Sequence, residues 1–284
     1  MLIGFSISIN AQEKYNINWK IGQNEILAYK TITDLIEADE FELPKAFESF
    51  PESKKGENKQ VQKELENIIK SLSEGIEDYS MVSILQKRNE WIDIKIISED
   101  LSKNKSQKKS AFANMFTGIQ LRAIVNQNGN IESFYNKNAQ KNLVAVFFQL
   151  PINPVKVGDK WSIDVNWITT DHNFECDSME RINEVELADI IIQDNDTIAL
   201  LKYTIHEKIF GSFHMPFGEE ESIETSFKVT YDALCEFSIS SGRWKSYSGI
   251  YSLKSTGYQN AAHKKKYVLI EENKMPRKIK KYLN

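Results

Sequence analysis

The sequence predicts a mainly β protein with a minor α component, made of long curved antiparallel sheets or partial barrels with one or two helices packed against them. Three observations support this fold class. Apolar and polar residues alternate with a period of two through most of the chain, helical spacing is confined to two segments, and 11% of the residues are aromatic, enough to supply a core. A period of two indicates strands with one buried and one solvated face.

The clearest predicted strand covers residues 223–237. Apolar side chains occupy one face of this run and polar side chains the other, with Leu234 as the exception. The first face carries Ile223, Thr225, Phe227, Val229, Tyr231, Ala233, Cys235 and Phe237. At ~3.3 Å per residue the run would extend for about 50 Å, so we expect a bend or a β-bulge in it. Shorter alternating runs begin at Tyr15, Ile92, Ile119 and Trp161.

Two segments have helical spacing. The first covers residues 58–74, and its apolar face carries Val61, Leu65, Ile68, Ile69 and Leu72. Gly75 follows at the position where a glycine commonly ends a helix. The second extends from about residue 138 to residue 149 and ends before Leu150 and Pro151, because the residue before a proline disfavours helical backbone.

The chain has 284 residues, enough for one large domain or two of about 140 residues. The proline-containing break at 150–154 predicts an N-terminal antiparallel β unit over residues 12–150, with the helix 58–74 inserted in it, and a C-terminal antiparallel β unit over residues 151–284. The two units could share one continuous core. Gly129 and Gly242 each begin a similar pattern, in which an apolar residue, a charged residue, a serine and an aromatic residue follow in that order. This similarity indicates a duplication of the β unit. The alternative is chance, because glycine turns are common in hairpins.

The first eleven residues, MLIGFSISINA, are uncharged and largely apolar, and a polar stretch follows them. This pattern is typical of the remnant of an export signal and is too short for a membrane span. We therefore expect an extracytoplasmic protein, periplasmic or secreted, without a transmembrane span. The alternative is that residues 1–11 form a hydrophobic first strand.

The C-terminal segment 264–284 is basic, with eight Lys and Arg residues against two Glu, whereas the chain as a whole has a net charge of −4. One interpretation is attraction to an acidic partner or an anionic lipid surface. The other is a solvated edge strand at residues 267–270 followed by a frayed basic tail, with the lysines opposing aggregation. The near-neutral net charge gives no reason to expect a nucleic-acid partner.

The sequence contains no complete catalytic or cofactor signature, so we expect no cofactor and, on balance, no enzymatic activity. Residues 171–177 hold metal-ligand types but lack paired ligand spacing, which favours a loop between strands over a metal site. His206 is expected to be solvated because it shares a strand face with lysines. Cys176 and Cys235 could form one disulfide in an exported protein, or Cys235 could be a buried free thiol.

One segment supports a family resemblance. Residues 150–161 resemble a recurring segment of an uncharacterised family of exported bacterial proteins. In this chain the segment consists of Leu150 and Pro151, followed by Val-Lys-Val-Gly-Asp-Lys-Trp at residues 155–161. The hairpin that turns at Gly242 and the apolar N-terminus are similar to that family as well. The resemblance implies a β-rich fold and secretion to the cell envelope of a Gram-negative bacterium, and it carries over no catalytic residue.

These observations predict a non-enzymatic, exported cell-envelope protein that binds an apolar ligand, such as a lipid or an apolar small molecule, or an envelope protein. A large curled sheet leaves a concave apolar face, which either packs on the protein's own helix or holds a ligand. The candidate ligand-binding residues on that face are Tyr15, Trp19, Trp161, Phe227 and Tyr231. The alternatives are a hydrolase with a site assembled from distant residues and a structural component of a surface complex.

Overall fold

The computed structural model describes residues 13–38, 79–100, 117–136, 141–170, 172–214, 222–258, 260–272 and 274–283. The predicted signal remnant 1–11 and the predicted helix 58–74 lie outside these ranges. The strands are β1 (Ile26–Ala38), β2 (Tyr79–Arg88), β3 (Trp91–Asp100), β4 (Gly118–Val125), β5 (Ile131–Asn136), β6 (Lys160–Trp161), β7 (Phe174–Gln193), β8 (Asp196–His214), β9 (Ser222–Ser238), β10 (Arg243–Thr256) and β11 (Ala261–Glu271). The helices are α1 (Lys141–Phe148) and α2 (Arg277–Lys280).

The strands form one antiparallel sheet that does not close on itself, in the order β5-β4-β3-β2-β1-β11-β10-β9-β8-β7-β6. This confirms the predicted fold class. Strands that follow each other in the chain are neighbours, except that β5 and β6 form the two opposite edges, and β1 pairs with β11 in the middle of the sheet. The interpretation of residues 267–270 as an edge strand is therefore wrong, because β11 has β1 on one side and β10 on the other.

The predicted alternation is clearest in β9. Tyr231, Cys235 and Phe237 are buried on one face, whereas Leu234 on the other face is 60% exposed. β9 pairs with β8 over its whole length without a register shift. Register shifts lie instead at residues 244–246 of β10, the other neighbour of β9, and at two places in β7, 176–178 and 187–189, on the far side of β8.

The two helices cover opposite faces of the sheet. We call the face that contacts α1 the inner face, and residues Leu143 to Phe148 of α1 are all buried against it. On the outer face, Ile279 of α2 packs in a second apolar cluster with Ala28, Val82, Ile84 and Ile97. The Tyr282 hydroxyl donates a 2.5 Å hydrogen bond to Glu99 Oε1. The basic C-terminal segment is thus docked, and the expectation of a frayed tail is wrong.

Residues from both sides of the break at 150–154 contribute to the main core. Ile94 and Leu121 precede the break, Tyr203 and Phe237 follow it, and all four belong to one buried cluster. The proposed duplication stays a prediction. Its two turn glycines both adopt positive φ, and the backbone of another segment lies close to each of them. A Cβ atom at Gly129 would lie 1.9 Å from the Phe148 carbonyl oxygen, and a Cβ atom at Gly242 would lie 2.4 Å from the Lys20 nitrogen.

Candidate functional site

The C-terminal end of α1 is held by aromatic side chains from distant parts of the chain. The last carbonyl groups of a helix have no intrahelical donor and need other partners. Three buried aromatic side chains donate hydrogen bonds to these carbonyl oxygens. Trp19 Nε1 donates to Phe148 O at 2.7 Å, Trp244 Nε1 to Phe147 O at 2.8 Å, and the Tyr247 hydroxyl to Val146 O at 2.8 Å. The helix therefore fills this end of the inner face and is fixed there by hydrogen bonds as well as by packing.

Two of the five predicted ligand-binding residues belong to this filled core. Trp19 is 2% exposed and its ring contacts that of Phe148 at 5.7 Å between centroids. The hydroxyl of Tyr231 lies 2.5 Å from the hydroxyl of Tyr247, and burial raises the pKa of both phenols well above the usual value. Both predicted residues stabilise the core at the end of α1.

The structure does not bring the other three residues to the same place. Tyr15 forms a bridge with Val155 beyond the sheet, and its hydroxyl donates to Glu13. Trp161 lies in the edge strand β6, where its buried indole N–H has no hydrogen-bond partner within the described ranges. Phe227 lies far along β9. Among the described residues, no ring contact joins any two of the five predicted residues.

A loop segment covers the middle of the inner face. Ile163 and Val165 are buried against it, and the backbone N–H groups of Trp167 and of residue 168 both donate to Glu207 Oε2 at 3.0 Å. The other oxygen, Glu207 Oε1, accepts no hydrogen bond within the described ranges but lies 3.2 Å from the Arg181 guanidinium. The arrangement of this buried carboxylate is typical of a group that anchors a loop.

Beyond this loop, apolar side chains of the inner face are left partly open. Leu35 of β1 is 53% exposed, Met179 of β7 is 70% exposed, and Phe227 and Leu253 are half-buried between them. We call these four residues the inner-face patch. At ~4.8 Å per strand, the patch extends for about 24 Å across the sheet from β1 to β7. Leu35 and Met179 are the exposed members of this set, and the inner-face patch is the candidate surface for an apolar ligand on this face.

Polar groups border the inner-face patch on β10 and β11. Lys265 lies directly opposite Leu35 on one side and Tyr251 on the other. His263 lies opposite Leu253, and its ring contacts that of Tyr251 at 5.7 Å. Burial lowers the pKa of His263, and the charge of Lys265 lowers it further. The sequence interpretation missed both residues, although alternation back from the buried Leu269 places them on the inner face.

Two surface clefts lie elsewhere. One of about 380 Å³ is lined by Asn18, Trp19, Lys20, Ile21, Gly22, Lys87, Glu90, Trp91, Ile92 and Gln127. The other, of about 400 Å³, is lined by Lys141, Ile163, Asp164, Val165, Asn166, Arg181 and Asn183. Each holds charged side chains of both signs. Neither includes a residue of the inner-face patch.

The structure excludes the proposed disulfide. Cys176 is exposed, Cys235 is buried, and both thiols are free. Cys176 pairs with Gly211 and Cys235 pairs with Leu201, so the two cysteines are separated by ten positions along β8. This corresponds to about 33 Å, whereas a disulfide needs Cα atoms within about 7 Å. The alternative of a buried free thiol at Cys235 is the arrangement found.

The remaining metal and histidine predictions have mixed outcomes. Glu175 and Cys176 belong to β7, so a loop is the wrong assignment for that part of residues 171–177. No group of three metal-ligating side chains occurs among the described residues. His206 is on the outer face, as predicted, with 38% of its side chain exposed, and its Nε2 lies 3.0 Å from Asp232 Oδ1.

Comparison of the chain with models of known families, with curated proteins and with solved structures finds no match. The helices of the described ranges lack the length and the apolar character needed to cross a membrane.

Proposed function

We propose that this protein is a non-enzymatic, extracytoplasmic binding protein that holds an apolar ligand on the inner-face patch. The observation that carries the proposal is the division of the inner face. α1 fills one end and the segment 163–167 covers the middle, whereas Leu35 and Met179 are left exposed at the other end. A ligand with an apolar chain would bury these side chains, at about 25 cal/mol per Å² of apolar area removed from water.

The proposed site differs from the one predicted from the sequence and keeps only Phe227 of the five residues. The proposed site leaves out Trp19 and Tyr231, because the protein's own helix and neighbouring aromatic rings already surround them. The extracytoplasmic location is supported by the apolar segment 1–11 and by the family resemblance at residues 150–161. N-terminal sequencing of the mature protein should give a start near Gln12, whereas an intact Met1 in the cytoplasm would overturn the location.

Native mass spectrometry tests the ligand. Protein purified from the envelope should carry a bound lipid or other apolar molecule that is recovered by solvent extraction. Protein that carries nothing and does not bind the neutral probe 1-N-phenylnaphthylamine would overturn the proposal. Recovery of an envelope protein instead of a small molecule would overturn it in favour of a protein partner.

A matched pair of leucines localises the site. Leu35 on the inner face is 53% exposed and Leu234 on the outer face is 60% exposed, and both lie in strands. Leu35→Asn should weaken binding of the neutral probe about tenfold, since burial of a leucine side chain contributes about 1.5–3 kcal/mol. Leu234→Asn should leave it unchanged. If the two substitutions changed the affinity for the neutral probe equally, the ligand would not bind at the inner-face patch.

A further inference from the structure

The border of the inner-face patch contains a positive charge and hydrogen-bond donors that make no hydrogen bond to the described residues. Lys265 makes no ion pair or hydrogen bond within the described ranges, although it lies half-buried between Leu35 and Tyr251. The hydroxyl of Tyr251 likewise has no hydrogen bond there. The ring of Trp167 packs on Tyr251 at 5.0 Å between centroids, and its buried indole N–H has no partner in the described part of the chain.

Lys265 is half-buried on the inner face, and its ammonium group forms no ion pair with the described residues. Partial removal of an ammonium group from water is unfavourable unless an anion or an acceptor replaces the water. Glu207 is a buried carboxylate on this face, and its charge is paired with another cation: Oε2 accepts two backbone N–H groups, and Oε1 lies 3.2 Å from the Arg181 guanidinium. The local excess of donors therefore matches a ligand that brings an anionic acceptor.

The charge balance also limits the ligand. Arg181 is paired with Glu207, and burial and the charge of Lys265 both lower the pKa of His263, which favours the neutral imidazole. Among the described residues, Lys265 is then the one positive charge beside the inner-face patch that has no ion-pair partner. One positive charge matches a monoanion such as a carboxylate better than a phosphate monoester, which carries about −1.5 to −2 at neutral pH.

We propose that the inner-face patch binds an acyl chain that ends in a carboxylate, with the acid group at Lys265 and the chain lying across Leu253, Phe227 and Met179. This inference rests on the proposed function and specifies its ligand class. The neighbouring His263, Tyr251 and Trp167 supply neutral donors around the acid group. The apolar side chains on β10, β9 and β7 provide the surface along which the chain lies.

Two adjacent lysines provide the test. Lys265 lies on the inner face, and its chain neighbour Lys264 lies on the outer face, opposite Ser252. The probes are dansylated undecanoic acid and its methyl ester, which differ in the charge of the head. The wild-type protein should bind the acid more tightly than the ester. Lys265→Met should raise the Kd of the acid about tenfold or more and leave the Kd of the ester unchanged, since hydrogen bonds to charged groups contribute about 1.5–3 kcal/mol.

Lys264→Met should change neither Kd by more than about twofold, and Lys265→Arg should restore much of the preference for the acid, since it retains the charge. Unfolding by urea shows whether each variant is folded. Equal binding of acid and ester by the wild type, or tighter binding of dodecyl phosphate than of the acid, would overturn the carboxylate while the proposed function stands. Failure of both the acid and the ester to bind would overturn the inference and the proposed function together.

Discussion

Trp19 donates its indole N–H to the carbonyl oxygen of Phe148 at 2.7 Å, which joins the segment before β1 to the last residue of α1. The bond is buried, and the two residues are 129 positions apart in the chain. Gly129 permits this geometry, because a Cβ at that position would collide with the same Phe148 carbonyl. The segment before β1, the β4–β5 turn and the end of α1 therefore depend on one another.

Trp19→Phe should destabilise the protein by about 1–3 kcal/mol, because the buried Phe148 carbonyl loses a donor. Equilibrium unfolding in urea, followed by tyrosine fluorescence or circular dichroism, measures the change. Trp91→Phe is the matched control, since Trp91 is 41% exposed, and it should cost less than about 0.5 kcal/mol. Similar losses in both variants would contradict the role assigned to the indole hydrogen bond.

Ile279→Ala should destabilise the protein by about 2–4 kcal/mol, the usual cost of truncating a buried isoleucine. Ile279 is 0% exposed in the outer-face cluster although it lies close to the C-terminus. The next residue, Lys280, is exposed, so Lys280→Ala serves as the control and should be close to neutral. A neutral Ile279→Ala would indicate that the C-terminal segment is not docked in solution.

The protein should lose stability as pH rises above 10. Burial raises the pKa of Tyr203, Tyr231 and Tyr247 well above the usual value of 10.0, and it raises the pKa of Tyr251 to about 12. Between 10.0 and the raised values, the folded state keeps protons that the unfolded state has released. Stability from this source is therefore complete below pH 10 and decreases above it, by up to about 1.4 kcal/mol per pH unit for each such group.

Urea midpoints measured between neutral pH and strongly alkaline pH test this dependence, and tyrosinate absorbance reports ionisation directly. The buried tyrosines should ionise together with unfolding. Tyr247→Phe removes one of these groups and should make the alkaline decrease less steep. Midpoints that stay constant above pH 10 would contradict the expected burial of these hydroxyls.

Lys228→Glu should stabilise the protein at low ionic strength by about 0.5–1 kcal/mol. Lys208, Lys228 and Lys254 lie directly opposite one another on three adjacent strands of the outer face, and all three are exposed. Like charges in directly opposed positions destabilise a sheet, by about 0.2–1 kcal/mol per pair. Urea unfolding at low and at high salt measures the gain, which should shrink as salt screens the charges.

Lys202→Glu is the contrasting control for Lys228→Glu. Lys202 lies opposite Glu186 of β7 and opposite Leu234 of β9. The same substitution there creates a like-charge pair and should destabilise the protein slightly. If both substitutions had the same sign of effect, net charge rather than the opposed lysines would account for it.

Local patterns predicted local structure well. Alternation identified β9 and the solvated face of His206, and Pro151 marked the end of α1 within two residues. These features depend on neighbours in the chain, which a periodic pattern records. Alternation also shows which face of a strand is apolar, but it does not show whether a helix, a loop or a ligand covers that face.

The features that the sequence interpretation missed depend on partners far apart in the chain. The pairing of β1 with β11 turns a predicted edge into the middle of the sheet. Cys176 and Cys235 were candidates for a disulfide because nothing local shows their separation along β8. Trp19 was predicted to contact a ligand because five strands of intervening sequence separate it from its hydrogen-bond acceptor, Phe148.

The pairing of Tyr29 with Glu271 between β1 and β11 has a consequence for folding. A chain that emerges in order, from a ribosome or through a translocation channel, presents β1 long before β11 exists. Strands β1 to β5 can pair early as a meander, but the edge of β1 has no native partner until nearly the whole chain has been delivered. The sheet is thus completed late, through contacts of high sequence separation that form slowly, and an incomplete chain exposes the edge of β1 to intermolecular pairing.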